Sequence, residues 1–172
     1  MKRIILILFV IAFCSGISIS LIFAPKSATQ PENLKIPDLT LKTNTGKKIN
    51  LSKNINTKTI LLFWLPKSLS CQKQLQTLQK IQNEYSDSVL IYGVSIGTIE
   101  KEAVEEIKIE NSITYPLLID KDAKLSEELL ISAIPTLIFI NNQGIMVEKH
   151  VGLMDIPELK KNLNSIAQQP NK

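Results

Sequence analysis

Two periods of apolar residues divide the chain. Thr59-Ile60-Leu61-Leu62-Phe63-Trp64-Leu65 and Val89-Leu90-Ile91-Tyr92-Gly93-Val94-Ser95-Ile96 are short and nearly unbroken, so each reads as a strand buried on both faces. Between them Cys71, Leu75, Leu78, Ile81 and Tyr85 recur at helical spacing. Lys101 to Glu110 is a Glu-rich amphipathic helix, and Leu117 to Ile119 a short strand. Asp120 or Asp122 is placed to cap a helix running through Leu130. Thr136–Ile140 and Ile145–Val151 pair as a hairpin across Asn141-Asn142-Gln143-Gly144, and a first hairpin, Leu39 to Leu51, turns at Asn44-Thr45-Gly46. Asp155-Ile156-Pro157-Glu158 has capping-box spacing and opens a last helix that turns Leu159, Leu163 and Ile166 inward. Strand–helix–strand followed by hairpin–helix predicts an α/β fold. Its mixed central β-sheet is flanked by helices and carries an N-terminal β-hairpin extension.

A different pattern precedes this. Ile4 to Ala24 holds 21 residues without a charge, behind Lys2-Arg3. At about 1.5 Å per residue the run just spans a hydrocarbon core of about 30 Å. One transmembrane helix is therefore expected within residues 1–24, with the basic N-terminus inside and the following domain outside. A cleaved signal peptide, giving a secreted or periplasmic domain, is the alternative, since Ser15, Gly16, Ser18 and Ser20 lie in the run. Pro25 argues against cleavage after Ala24, and bulky Phe13 argues against a lipoprotein built on Cys14. Residues 25–37 hold Pro25, Pro31 and Pro37 among polar residues and read as a stiff tether. The stretch 38–168 is then one domain of ordinary size.

Composition narrows the function. A net charge of +4 rests almost wholly on lysine, with Lys42, Lys47, Lys48, Lys53 and Lys58 around the first hairpin. Such a patch suits an anionic membrane surface or an acidic partner, or is simply a solvated face. No interleaving of aromatic and basic residues points to nucleic acid, and six glycines form no phosphate loop. The one histidine, His150, sits in the last strand and is expected to be a strand residue, not a ligand. No metal site or cofactor is expected.

The chemistry-bearing segment is Phe63-Trp64-Leu65-Pro66-Lys67-Ser68-Leu69-Ser70-Cys71, a strand end running into a helix start. Ile134-Pro135-Thr136 stands later, ahead of an apolar strand. Together with Pro37-Asp38-Leu39-Thr40-Leu41, Gly46-Lys47-Lys48-Ile49, Tyr92-Gly93-Val94-Ser95, Tyr115-Pro116-Leu117-Leu118-Ile119-Asp120, Gly144 and Gly152, these stretches resemble the TlpA/ResA type of the thioredoxin superfamily. The resemblance runs from about Lys35 to Ile166 and implies a thioredoxin-like fold, membrane-anchored extracytoplasmic thiol–disulfide oxidoreductase relatives, and a cis-proline at Pro135. It also implies a groove for an extended substrate peptide formed by Ile134, Pro135 and Trp64, although Trp64 by its place in an apolar strand reads more readily as sheet core than as a substrate platform. The partner it suggests is a protein thiol or disulfide, or a membrane redox protein. Two departures fall at the redox centre. The first Cys of CxxC is Ser68, leaving S-x-x-C, and the acidic residue such members often carry after the second strand is Thr98.

In a CxxC the first Cys attacks a disulfide and the second resolves the mixed disulfide. Ser68 can cap a helix but cannot be oxidised to a disulfide, and the other cysteine, Cys14, belongs to the apolar run. A dithiol cycle is thereby excluded for this chain alone. Cys71 is left as the tentative catalytic residue, acting at most as a monothiol. Alternatively it is a buried relic in a non-catalytic partner-binding module, for example in cytochrome c maturation. A peroxidase with [T/S]-x-x-C spacing is a third reading. However, Trp64 stands where those enzymes carry a proline, and the only arginine is Arg3.

Overall fold

The computed structural model describes residues 34–167. Strands are β1 (Thr40–Thr43), β2 (Lys48–Asn50), β3 (Lys58–Trp64), β4 (Val89–Ile96), β5 (Leu117–Asp120), β6 (Thr136–Ile140) and β7 (Met146–Val151). Helices are α1 (Leu51–Asn54), α2 (Leu69–Tyr85), α3 (Lys101–Glu110), α4 (Lys124–Glu128) and α5 (Ile156–Ala167). The strands form one sheet in the order β2-β1-β5-β4-β3-β6-β7. β3, β4 and β5 are parallel, while β1, β6 and their hairpin partners run antiparallel. This is the mixed sheet the sequence predicts, with the N-terminal hairpin closed onto β5 through Lys42–Ile119 and Thr43–Leu118.

Successive side chains of a strand point to opposite faces, and the unbroken apolar runs fill both. Ile60, Leu62 and Trp64 of β3 pack with Leu75, Leu78 and Ile81 of α2, Val104 and Ile107 of α3, and Leu159 and Leu163 of α5. Leu61 and Phe63 face the other way, against Leu51 of α1, Leu125 of α4 and Leu129 just after it. Ile36 joins that second cluster and Lys35 bridges to Ile145, so the chain enters the fold at the β6–β7 turn. Among the described residues no helix is long and apolar enough to cross a membrane. The expected span at 4–24 lies outside them.

Local details depart from the sequence reading. Leu51 does not end the first hairpin but opens α1, which Asn50 caps by accepting the Lys53 N–H at 3.1 Å. The helix expected through Leu130 stops at Glu128, because Leu130 adopts φ 53° and the Lys149 ammonium takes the Leu129 and Leu130 carbonyls. Asp120 does cap that helix, but from the strand before it. Its buried carboxylate accepts the Leu125 and Ser126 N–H groups and the Ser126 hydroxyl at 3.3, 2.8 and 2.7 Å.

Gly93 matters because of what lies against it. A Cβ there would sit 2.5 Å from Leu117 Cδ2 and 3.2 Å from Trp64 Nε1. The glycine thus makes room for the indole at the end of β3. Gly93→Ala is expected to destabilise the domain by about 1–3 kcal/mol through overpacking, read as a lower thermal midpoint.

Candidate functional site

β3 delivers the chain to the sheet end at Trp64, and Leu65 to Ser68 carries it into α2. Ser68 is the N-cap. Its backbone is extended, φ −95° and ψ 111°, and its Oγ accepts the Cys71 N–H at 3.3 Å. The Ser70 and Ser68 hydroxyls lie 3.0 Å apart, and Gln72 Nε2 donates to the Pro66 carbonyl at 2.7 Å. The cap satisfies one of the free N–H groups of the first turn, as a short polar side chain does. Cys71, one turn in, is fully buried (0% exposed) beside Leu75 and Leu78. It is the free cysteine among the described residues.

The Ile134–Pro135 bond is cis. β3 pairs with β6 through Phe63–Thr136, which brings Pro135 to the same sheet end as Trp64. The β6–β7 ladder stops at Thr136–Val151, so Ile134 lies beyond it, half-buried. Trp64 corrects the expectation of a groove residue. It has no exposed surface because its side of β3 faces the α2 core, and its Nε1–H is buried without an acceptor among the described residues. The surface beside the motif comes instead from Leu69, 81% exposed, and Leu65.

Gln74 is a residue the sequence reading missed. It is fully buried, and its side-chain amide makes a reciprocal pair with Met154: Nε2 donates to the Met154 carbonyl at 3.2 Å and Oε1 accepts the Met154 N–H at 2.8 Å. Two residues before, the Gly152 N–H donates to the Pro135 carbonyl at 2.8 Å. The helix that carries Cys71 is thus tied through Gln74, Met154 and Gly152 to Pro135. The one available signal was a glutamine beside the apolar stripe; its partner lies 80 residues on.

Asn162 Nδ2 of α5 extends this link, lying 3.6 Å from Met154 Sδ and donating to Glu148 Oε1 of β7 at 2.9 Å. Burial raises the Glu148 pKa above the ordinary carboxylate value, with His150 pulling the other way. The fold therefore favours protonated Glu148. That contribution is full below the ordinary carboxylate value and is lost as pH rises through the raised folded value. Glu148→Gln stays neutral and keeps the acceptor for Asn162. Its thermal midpoint should exceed the natural protein's at neutral pH, and the advantage should vanish below about pH 4.5. Equal melting curves across that range would contradict the shift.

His150 Nε2 lies 3.2 Å from the Leu153 carbonyl, and no group of three metal-ligating side chains occurs among the described residues. A cleft of about 730 Å³ opens elsewhere, between β1 and the start of α3. Lys42, Thr98, Lys101, Ile119 and Asp122 line it, and no motif residue does.

Residues 33–149 match the AhpC/TSA family. The chain is 27% identical to the thioredoxin-like protein YneN of Bacillus subtilis, covering 83% of this chain and 84% of that one. It is 32% identical to the sporulation thiol-disulfide oxidoreductase A of the same organism, covering 70% and 74%. The crystal structure of StoA from Bacillus subtilis superposes with TM-score 0.62 at 30% identity over 73% of this chain and 98% of that one. The mixed central sheet with flanking helices is thus shared architecture, and the chain belongs to the AhpC/TSA family, in its thioredoxin-like TlpA/ResA type.

Proposed function

We propose that this is a membrane-tethered, extracytoplasmic thioredoxin-like module that binds an extended segment of a partner protein beside Ile134 and Pro135 without running a dithiol cycle. The observation that carries it is the burial of Cys71 behind a serine cap. A nucleophilic thiol must reach its target disulfide, and a sulfur with no exposed surface does not. Ser68, half-buried at the N-cap of the turn, has no sulfur to offer. The apolar run at 4–24 and the proline-rich 25–37 support the tether. The partner would be a thiol- or disulfide-bearing protein, or a membrane redox protein, as the thiol–disulfide oxidoreductase relatives suggest.

The monothiol reading rests on the place of Cys71 in the first turn of a 17-residue helix, where a thiolate would meet unpaired N–H groups. The two readings separate on one measurement. In a Cys14→Ser chain, the Cys71 thiol should react with an aromatic disulfide reagent more than about a hundredfold slower when folded than in denaturant. Rapid stoichiometric labelling of the folded chain would favour the monothiol and overturn the binding-only reading.

A further inference from the structure

The sheet has two unlike ends. One carries the motif. At the other, β3 begins at Lys58, β2 begins at Lys48 and the β1–β2 turn holds Lys47. Lys35 lies at this same end, bridged to Ile145 beside the start of β7. Lys35, Lys47 and Lys48 are exposed and Lys58 half-exposed, and none forms an ion pair among the described residues. Lys48 even stands directly opposite Lys42 in the β1–β2 register, a like-charge pairing that weakens a hairpin unless an anion offsets it. The acids nearest this end are on the α2 and α3 side. Glu84 is bound by Lys160 and Glu105 by Asn44, which leaves Asp87 and Glu110.

We propose that this end docks on an anionic lipid surface, holding the motif end away from the bilayer. The inference rests on the membrane-anchor reading above. Spacing selects the occupant. In sheet order β2 lies four places from β3, and β3 two from β7. At about 4.8 Å per strand the lysines spread over roughly 30 Å. They cannot converge on one small anion, but they suit a plane. The position of the chain's entry agrees. The polypeptide reaches the fold at Lys35 and Ile36, at the basic end. Between Ala24 and Leu34 stand nine residues, 25–33, which extend to at most about 30 Å. Within that leash the summed attraction of several lysines, each worth about fivefold in binding, is enough to set orientation. Lys58 and Trp64 end a seven-residue strand, so Trp64 and the motif beyond it would stand about 20 Å above the basic end.

The test uses the full chain reconstituted in phosphatidylcholine vesicles, with or without phosphatidylglycerol, and amine acylation read residue by residue by mass spectrometry. With anionic lipid, Lys35, Lys47, Lys48 and Lys58 should label about fivefold more slowly, while Lys67 and Lys73 beside the motif label as before. About 1 M salt, where the Debye length falls to about 3 Å, should abolish the difference. In a Lys47→Gln, Lys48→Gln, Lys58→Gln chain the protection of Lys35 should be lost. Flotation with both vesicles but equal labelling would overturn docking and leave the anchor standing. Failure to float with either would overturn the anchor and this orientation together.

Discussion

A Ser68→Cys chain should form an intramolecular disulfide with Cys71 under mild oxidant, where the natural domain forms none. Residues three apart at a helix start have Cα atoms within the span a disulfide needs. Closing so short a loop stabilises the oxidised protein by roughly 2 kcal/mol on loop-entropy grounds. Losing the serine acceptor that now holds the Cys71 N–H costs about 1 kcal/mol. The balance favours the oxidised form. The introduced thiol would occupy the half-buried N-cap, where unpaired N–H groups favour its thiolate, while Cys71 stays buried as the resolving partner. Disulfide reduction of insulin by an external thiol should then be accelerated by the variant and not by the natural chain. Alkylation with mass detection decides the first step: two thiols left free under oxidant would mean that the motif is misplaced.

Replacing Gln74 with methionine should cause the largest stability loss of a single side-chain change at the site. The substitution keeps length and apolar volume but strips both hydrogen-bonding groups. The buried N–H and carbonyl of Met154 would lose their partners, at about 1–3 kcal/mol each, or roughly 2–6 kcal/mol together. Hydrogen exchange should localise the damage, with the Met154 amide losing protection and Gly152 loosening from Pro135. Unchanged melting and unchanged protection would show that the amide pair holds nothing. Because the same pair ties Pro135 to the motif helix, partner binding should weaken even where the fold survives.

Contrasts between elements show how far the sequence could be read. β4 and α3 have the expected bounds because their patterns are local: one continuous apolar run, one amphipathic helix. The end of α4 was not local. It is set by an ammonium arriving from β7, some 20 residues away. α1 is only four residues, too short to show a helical period, and its one cue was the Asn50 cap. At the site, the capping role of Ser68 and the inward aim of Cys71 follow from N-cap chemistry and from the stripe through Leu75 and Leu78. The burial of Trp64 agrees with its place in an unbroken apolar strand and goes against the groove position that the resemblance gave it. Its packing depends on the missing Cβ of Gly93 on the neighbouring strand. Gln79 repeats the lesson of Gln74. A glutamine on a mostly apolar face turns out to bond the N–H and hydroxyl of Thr114, a loop residue before β5.

The strand order also governs when the protein can acquire its shape. β3 and β4 are joined by one crossover, but β3 needs β6 on its other side, with Phe63 facing Thr136, and β1 needs β5, with Lys42 facing Ile119. Pairings so distant along the chain close slowly. A nascent polypeptide that ends before Thr136 therefore leaves the apolar edge of Ile60 to Trp64 open, a template for self-association. The first half of the chain stays unfinished until nearly all of it has been made. A truncation that removes β6 and β7 should accordingly accumulate as aggregate, not as a smaller folded unit.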